Sequence, residues 1–352
     1  MAVIFLPLLA LVHQCIGSEN VDALLKKRPS WSFEVESIES SIKNALHKHK
    51  LAGHDFELTE EMLRSDLKRS LAPGATHIPR KVGDPKWQQD PRNVPSTFDA
   101  REHWKACADI IGHVEDEGPC NTDVPAVVAS VMSDRYCIYS NGTFKDRLSQ
   151  EVMMGCGALC TGWPMSYYAW EYALNHGLPT GGPHGSNKGC APYSYAGCNH
   201  TGYYDLTGSA QKMKSCQVPF DLECPTECTN KHYKTPLDKD LRNLTCFYFT
   251  SNDEFTMRNE IMTFGPIMSS VHFYNDFLEK PKGIFQRKEN RKFLHGLKFF
   301  KIIGWGVEDG KKYWLCMHTW DTWGDKVFKF PRGENYDFIE WRPSAGLFDN
   351  MD

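Results

Sequence analysis

With 352 residues, 24% of them charged and a formal net charge of −4, the chain is long enough for a large core and two lobes but carries no strong electrostatic field. That balance excludes nucleic acid and anionic membranes as partners drawn by charge, and it names no other class.

Residues 1–17, "MAVIFLPLLALVHQCIG", form an apolar run ending in small or neutral residues. They read as a secretory signal peptide cut near Gly17, although the run starts with little positive charge; a buried N-terminal strand or helix is the alternative. No later stretch reaches transmembrane length, so the mature chain is expected to be soluble. Losing Cys15 with the signal leaves twelve of thirteen cysteines, nine of them between Cys120 and Cys228. In a secreted chain that density predicts a disulfide framework. Cys156-x3-Cys160 and Cys224-x3-Cys228 offer a zinc reading that the compartment argues against, so neither a metal nor a cofactor is expected. Three sequons, at Asn141, Asn199 and Asn243, fit the same secreted or lysosomal destination as glycosylation sites.

Residues 18–93 contain no cysteine and carry a helical pattern through "IESSIKNALHKHK" and "LTEEMLRSDLKRSL". A Pro/Gly-rich stretch with no periodicity follows. This predicts a helical prosegment and linker, with a plain solubility tail as the alternative. From Val94 to about 234 the chain reads as a helical lobe that becomes loop-rich and cysteine-bridged. From about 235 to 344, alternating aromatic runs predict strands: "TCFYFTS", "PIMSSVHFY", "FFKIIGWGV", "KKYWLCMHTW" and "KVFKFPRG". The fold class expected for 94–352 is α+β, a helical lobe beside a β-barrel-like lobe with a cleft between them.

Several separated motifs occur in one order: "VPSTFDAREHWKAC" (94–107), "DEGPC" (116–120), "SDRYCIYSNG" (133–142), "GCAPYSYAGC" (189–198), "ECPTEC" (223–228), "IIGWGVEDGKKYWL" (302–315) and "WGD" (323–325). On these the chain resembles the cathepsin B-like proteases of the papain family. The resemblance runs from about Val94 to Gly346 and is looser in the prosegment, where it rests on "LAGHDF" and "LKRSL". It implies a central helix in the first lobe and a cysteine-type peptidase as the ancestral activity.

Such a protease needs a thiolate at a helix N-terminus, a histidine to shuttle the proton, an asparagine to orient it and an amide for the oxyanion. The resemblance places Asp123 at the nucleophile, three residues past Cys120, followed by Val124 in place of an aromatic. Lys298 stands at the histidine, six residues before Gly304; His318 at the asparagine, three after Leu315; and Glu117 at the oxyanion glutamine. A three-residue slip to His295 would turn that side chain to the other face of a strand, and no slip restores a cysteine. The helix dipole is expected to lower the basicity of Asp123, and a nearby carboxylate to keep Lys298 protonated. Glu117 would put negative charge where an oxyanion forms. Two readings follow: an Asp123–Lys298 salt bridge joining the lobes, which the residues favour, or an Asp123/His318 pair activating water.

The cleft departs from the family too. After Cys160 only "TGWP" remains of a glycine-rich wall, with bulky Trp163, and the acidic floor of the specificity pocket becomes Arg342. Of the paired histidines of an occluding loop, His200 is left, with Asp116 as its implied latch partner, and a surface histidine without a role is the alternative. By resemblance Cys107 pairs with Cys137, Cys156 with Cys160, Cys190 with Cys228 and Cys198 with Cys216. That leaves Cys120 and Cys224 without family partners, to be joined to each other or capped, and Cys316 as a buried thiol. The leading expectation is a catalytically inactive homologue that acts by binding a peptide, a protease inhibitor or an extracellular protein. The alternatives are a peptidase with residual or altered activity, and a structural secreted glycoprotein.

Overall fold

A computed structural model describes residues 94–120, 123–157, 159–160, 166–198, 222–250, 253–279, 282–320 and 325–348. The signal peptide and the segment 18–93 lie outside these residues, as do Trp163, Asn199, His200 and Cys216.

The described part is an α+β, two-lobe fold. Strand β1 (Phe98–Asp99) leads into the short helices α1 (Ala100–His103) and α2 (Ala108–Ile111). The central helix α3 (Val124–Tyr139) follows, with a proline in its first turn, where the missing N–H does no harm. Thirteen of its sixteen residues are buried, so it has no solvent face and is gripped from all sides. It ends where Asn141 and Gly142 take left-handed conformations and the Gly142 N–H donates to the Cys137 carbonyl. Helices α4 (Gln150–Cys156) and α5 (Ser166–His176), with the pair β2 (Arg147–Leu148) and β3 (Thr180–Gly181), complete this lobe.

The second lobe is an antiparallel sheet. β4 (Cys246–Phe249), β5 (Ile267–Tyr274), β6 (Phe293–Glu308), β7 (Lys311–Met317), β8 (Val327–Pro331) and β9 (Ser344–Leu347) run in the order β4-β9-β5-β6-β7-β8, with β1 added to β6. The five alternating aromatic runs all become strands. β6 begins earlier than its run because Gly296 and Lys298 interrupt the apolar alternation without breaking the pairing to β5. The strands enclose a core of Phe273, Phe277, Phe300, Trp305, Trp314 and Phe328. Helix α6 (Glu254–Phe264), absent from the sequence reading, packs there too; Asp253 caps its start by accepting from the Thr256 N–H at 2.8 Å.

The disulfides correct part of the expected framework. Cys107–Cys137 and Cys190–Cys228 form as expected. Cys156 bonds to Cys224 and Cys120 to Cys160, so the expected Cys156–Cys160 bridge and an orphaned Cys120 and Cys224 are both wrong. The reason is local. Gly155 lies so close to the 222–224 segment that a side chain on it would meet the Glu223 carbonyl, which brings Cys224 to the end of α4 at a Cα separation of 4.3 Å from Cys156. Past the helix end, Cys160 packs with Cys120, Met154 and Tyr193. Cys198 is disulfide-bonded, its expected partner Cys216 lying outside the described residues. Cys316 is a fully buried free thiol whose ionisation burial opposes.

One buried cation pins α3 to the sheet. Arg135 donates to the carbonyls of Pro266 (2.8 Å), Gly265 (3.1 Å) and Gly346 (3.3 Å), to the Tyr248 hydroxyl (3.2 Å) and to Glu260 (3.0 Å). Removing one member of a fully buried pair strands the other. Arg135→Lys cannot reproduce this fan of donors, and urea unfolding should show a loss of about 3–5 kcal/mol. Unchanged stability would show that the fan is dispensable.

Candidate functional site

Three segments meet at the N-terminus of α3. The loop before it turns at Gly118 (φ 57°), whose N–H donates to the Asp116 carboxylate at 2.7 Å. Its backbone is fixed from both sides, by the Tyr193 hydroxyl on the Glu117 carbonyl (2.7 Å) and by the Glu117 N–H on Thr319 (3.1 Å). This aims the Glu117 side chain inward. Asp123 stands at the helix start without capping it through its side chain, and accepts instead from the Phe299 N–H of β6 at 2.8 Å. On β6 the alternation buries Leu294, Lys298 and Phe300 and leaves Leu297 exposed, so Lys298 points at both carboxylates.

The ammonium of Lys298 lies 3.1 Å from Asp123 Oδ2, 3.1 Å from Glu117 Oε2 and 3.1 Å from Thr319 Oγ1. Its three N–H donors thus face three oxygens, while the Trp320 ring sits 4.0 Å away as a cation–π partner. Glu117 is further held by Thr319 Oγ1 (2.6 Å) and the Trp320 indole N–H (2.7 Å). Asp123, Glu117 and Lys298 are 6%, 7% and 4% exposed, which makes this an enclosed ion triad.

The electrostatics correct one expectation. Burial, with the Glu117 charge added, pushes the Asp123 carboxyl up to about 6 against the pull of Lys298 and the Phe299 N–H. The sequence reading had the helix dipole lowering its basicity; desolvation outweighs that effect here. Burial opposes the charge on Lys298, but Asp123 and Glu117 overturn it and shift its pKa upward. Lys298 therefore stays an ammonium and cannot accept a proton.

His318 is not paired with Asp123. Its Nδ1 accepts from the Trp320 N–H at 3.1 Å, so Nε2 carries the proton and donates to the Asp325 carbonyl at 2.8 Å. Burial drives its pKa down to about 4 and leaves it neutral. With both ring nitrogens held by backbone, it is in no position to activate water. Arg342 takes a left-handed conformation (φ 58°) with its guanidinium 4.2 Å from the Phe249 ring. The Asp116 side chain lies against Gly197, just before the loop that carries His200 outside the described residues. No group of three or more His, Cys, Asp or Glu side chains among the described residues is arranged to hold a metal.

Sequence reading missed Thr319, Trp320 and a second buried ion pair. Lys301 Nζ meets Asp134 (2.8 Å), Ser130 Oγ (2.8 Å) and the Ile111 carbonyl (3.0 Å). The signal was present: a lysine inside the apolar run "FFKIIGW" needs a buried anion, and Asp134 sits in an otherwise apolar helix.

The family model for papain family cysteine proteases matches residues 94–343. The chain belongs to that family. It is 32% identical over 321 residues to cathepsin B-like cysteine proteinase 5 of Caenorhabditis elegans, covering 87% of this chain and 88% of that protein. It is 31% identical over 291 residues to a cathepsin B-like cysteine proteinase of Schistosoma japonicum, covering 80% and 79%. Its fold is like that of proCathepsin B S9 from Trypanosoma congolense, with a TM-score of 0.60 at 23% identity, over 96% of this chain and all of that one. The family's activity is that of a cysteine-type peptidase.

Within this family member the triad holds the lobes together, so removing its cation should cost more at neutral than at acid pH. Lys298→Met leaves two buried carboxylates facing each other. Urea unfolding should show a loss of about 3–5 kcal/mol near neutrality. The loss should shrink towards pH 5, where Asp123 takes a proton. A loss independent of pH would remove Asp123 from the argument.

Proposed function

We propose that this papain-family chain does not hydrolyse peptide bonds and acts by binding. The observation that carries the reading is the position of the Lys298 ammonium, 3.1 Å from both the Asp123 and the Glu117 carboxylates. By resemblance these three positions belong to the proton shuttle, the nucleophile and the oxyanion donor. Here the nucleophile is a carboxylate bound to a cation, the base has no lone pair to offer, and the oxyanion donor is an anion. Cys120, the nearest thiol position in sequence, is locked to Cys160.

The partners proposed are a peptide, a protease inhibitor or an extracellular protein that fits the family's cleft, with no role for nucleic acid. The route proposed is secretory, ending outside the cell or in a lysosome. Exposed positions for two of the three sequon asparagines, Asn141 and Asn243, support glycosylation on that route. No helix among the described residues is long and apolar enough to cross a membrane.

Purified protein, with or without residues 18–93, should turn over no dipeptide or tripeptide amide and should resist epoxide reagents that trap active-site thiolates. Asp123→Cys alone should stay inactive, because Lys298 cannot take the thiol proton. Turnover that disappears in Asp123→Ala, in protein free of host proteases, would sink the proposal. Recovering the native protein and identifying what co-purifies would choose among the partner classes.

A chain without peptidase activity also cannot remove its own prosegment. Residues 18–93 should therefore stay attached on acidification unless another protease is supplied. Concentration-dependent conversion of pure protein to a form starting near Val94 would count decisively against this.

A further inference from the structure

The layer between α3 and β6 holds more acid than base. Two lysines on β6, Lys298 and Lys301, are 4% and 2% exposed. Across from them lie four carboxylates, each under a tenth exposed: Asp123 and Asp134 on α3, Glu115 and Glu117 on the loop before it. Glu115 has Arg147 of β2 at 3.6 Å and His113 at 3.5 Å, and Asp134 has Lys301. Lys298 is left facing both Asp123 and Glu117. Nothing else nearby corrects the balance. Arg135, beside Asp134 on α3, spends its donors on Glu260 and the carbonyls of the sheet. Asp116, at the edge, adds another negative charge, and His318 behind Thr319 is neutral.

A buried carboxylate short of a counter-charge resolves its cost by taking a proton. We propose that the α3–β6 layer is a proton-operated latch: in a mildly acidic medium Asp123 and Asp134 take up protons and the lobes hold more tightly, while at neutral pH they release them and the contact between the lobes weakens.

The direction follows from how each group titrates. Burial is the main cause in both carboxyls, with Glu117 adding to the rise at Asp123 and Glu115 at Asp134, and it pushes them up to about 6 and about 7. An unfolded aspartate titrates near 4, so folding takes up protons between about pH 4 and 7, and stability falls as pH rises across that window. His318 works the other way. Its pKa falls to about 4 on folding, so its contribution grows as pH rises towards the ordinary histidine value. Glu115 is shifted down, because burial is outweighed by His113, Arg147 and Lys301, and its effect lies below the window. Two carboxyls against one imidazole leave a net loss of stability towards neutrality.

The proposal does not depend on whether the chain is catalytic, and full-length protein suffices to test it. Urea unfolding would be run at about pH 5 and about pH 7.5 on wild type, Asp123→Asn and Asp134→Asn. An amide resembles a protonated carboxyl, so each variant should match wild type at the lower pH. At the higher pH each should exceed wild type by roughly tenfold in the folding equilibrium constant, since one pKa unit is tenfold. A gap between variant and wild type that is the same at both pH values would overturn the latch. Should either variant fail to fold, the infrared C=O stretch of protonated carboxylic acid in the wild type decides. Near pH 6 exposed carboxyls are ionised, so a band there that vanishes on alkalinisation supports the proposal and its absence refutes it.

Discussion

The ammonium of Lys298 joins a strand of the sheet lobe to two carboxylates of the helical lobe, and most of what distinguishes this chain hangs on that contact. Asp123 starts the central helix, and Glu117 ends the loop that leads to it. Both are drawn inwards to one cation on β6. In the family's chemistry the same junction is a thiolate beside an imidazolium, also an ion pair across the lobes. The substitution therefore keeps the electrostatic joint between the lobes while removing every group that could make or break a bond.

That joint is held by geometry as well as charge. Thr319 and Trp320, just past β7, each donate to Glu117, and Trp320 also lies beside the ammonium. The Trp320 N–H then fixes Nδ1 of His318, which fixes its tautomer. A buried pair with its remaining donors and acceptors satisfied avoids much of the desolvation penalty that makes isolated buried ions costly. The enclosure that secures the triad also closes it to water and substrate. A site that must exchange protons with substrate and solvent needs at least one loosely held group, and none of these four side chains is loosely held.

Much of this was legible in the sequence. The strands announced themselves through aromatic alternation, and the Asp123–Lys298 contact followed from opposite charges at two positions whose proximity the resemblance supplied. Three things were not legible. Helix α6 carries a short apolar pattern between two strands, where its Asp253 cap was the main local sign. The pairing of Cys156 with Cys224 depends on how closely a loop approaches Gly155, a distance no spacing rule encodes. The upward shift of Asp123 depends on how completely it is buried, because a helix N-terminus alone argues for the opposite sign. In each case a local tendency lost to tertiary packing.

The replacements also constrain one another. With a carboxylate at the start of α3, a neutral histidine opposite it would leave a buried anion without a counter-charge, so a permanent cation at position 298 is the matched partner. Once that cation is present, an amide at position 117 would leave one of its donors with a weaker acceptor, whereas a carboxylate binds it and takes the Trp320 indole as well. At position 318 a side chain is needed that accepts from the Trp320 N–H and donates to the Asp325 carbonyl, which neutral imidazole does with its two nitrogens. Glu117, Asp123, Lys298 and His318 thus form one self-consistent set, and restoring a single family residue would place a mismatched charge or hydrogen-bonding group inside a closed network.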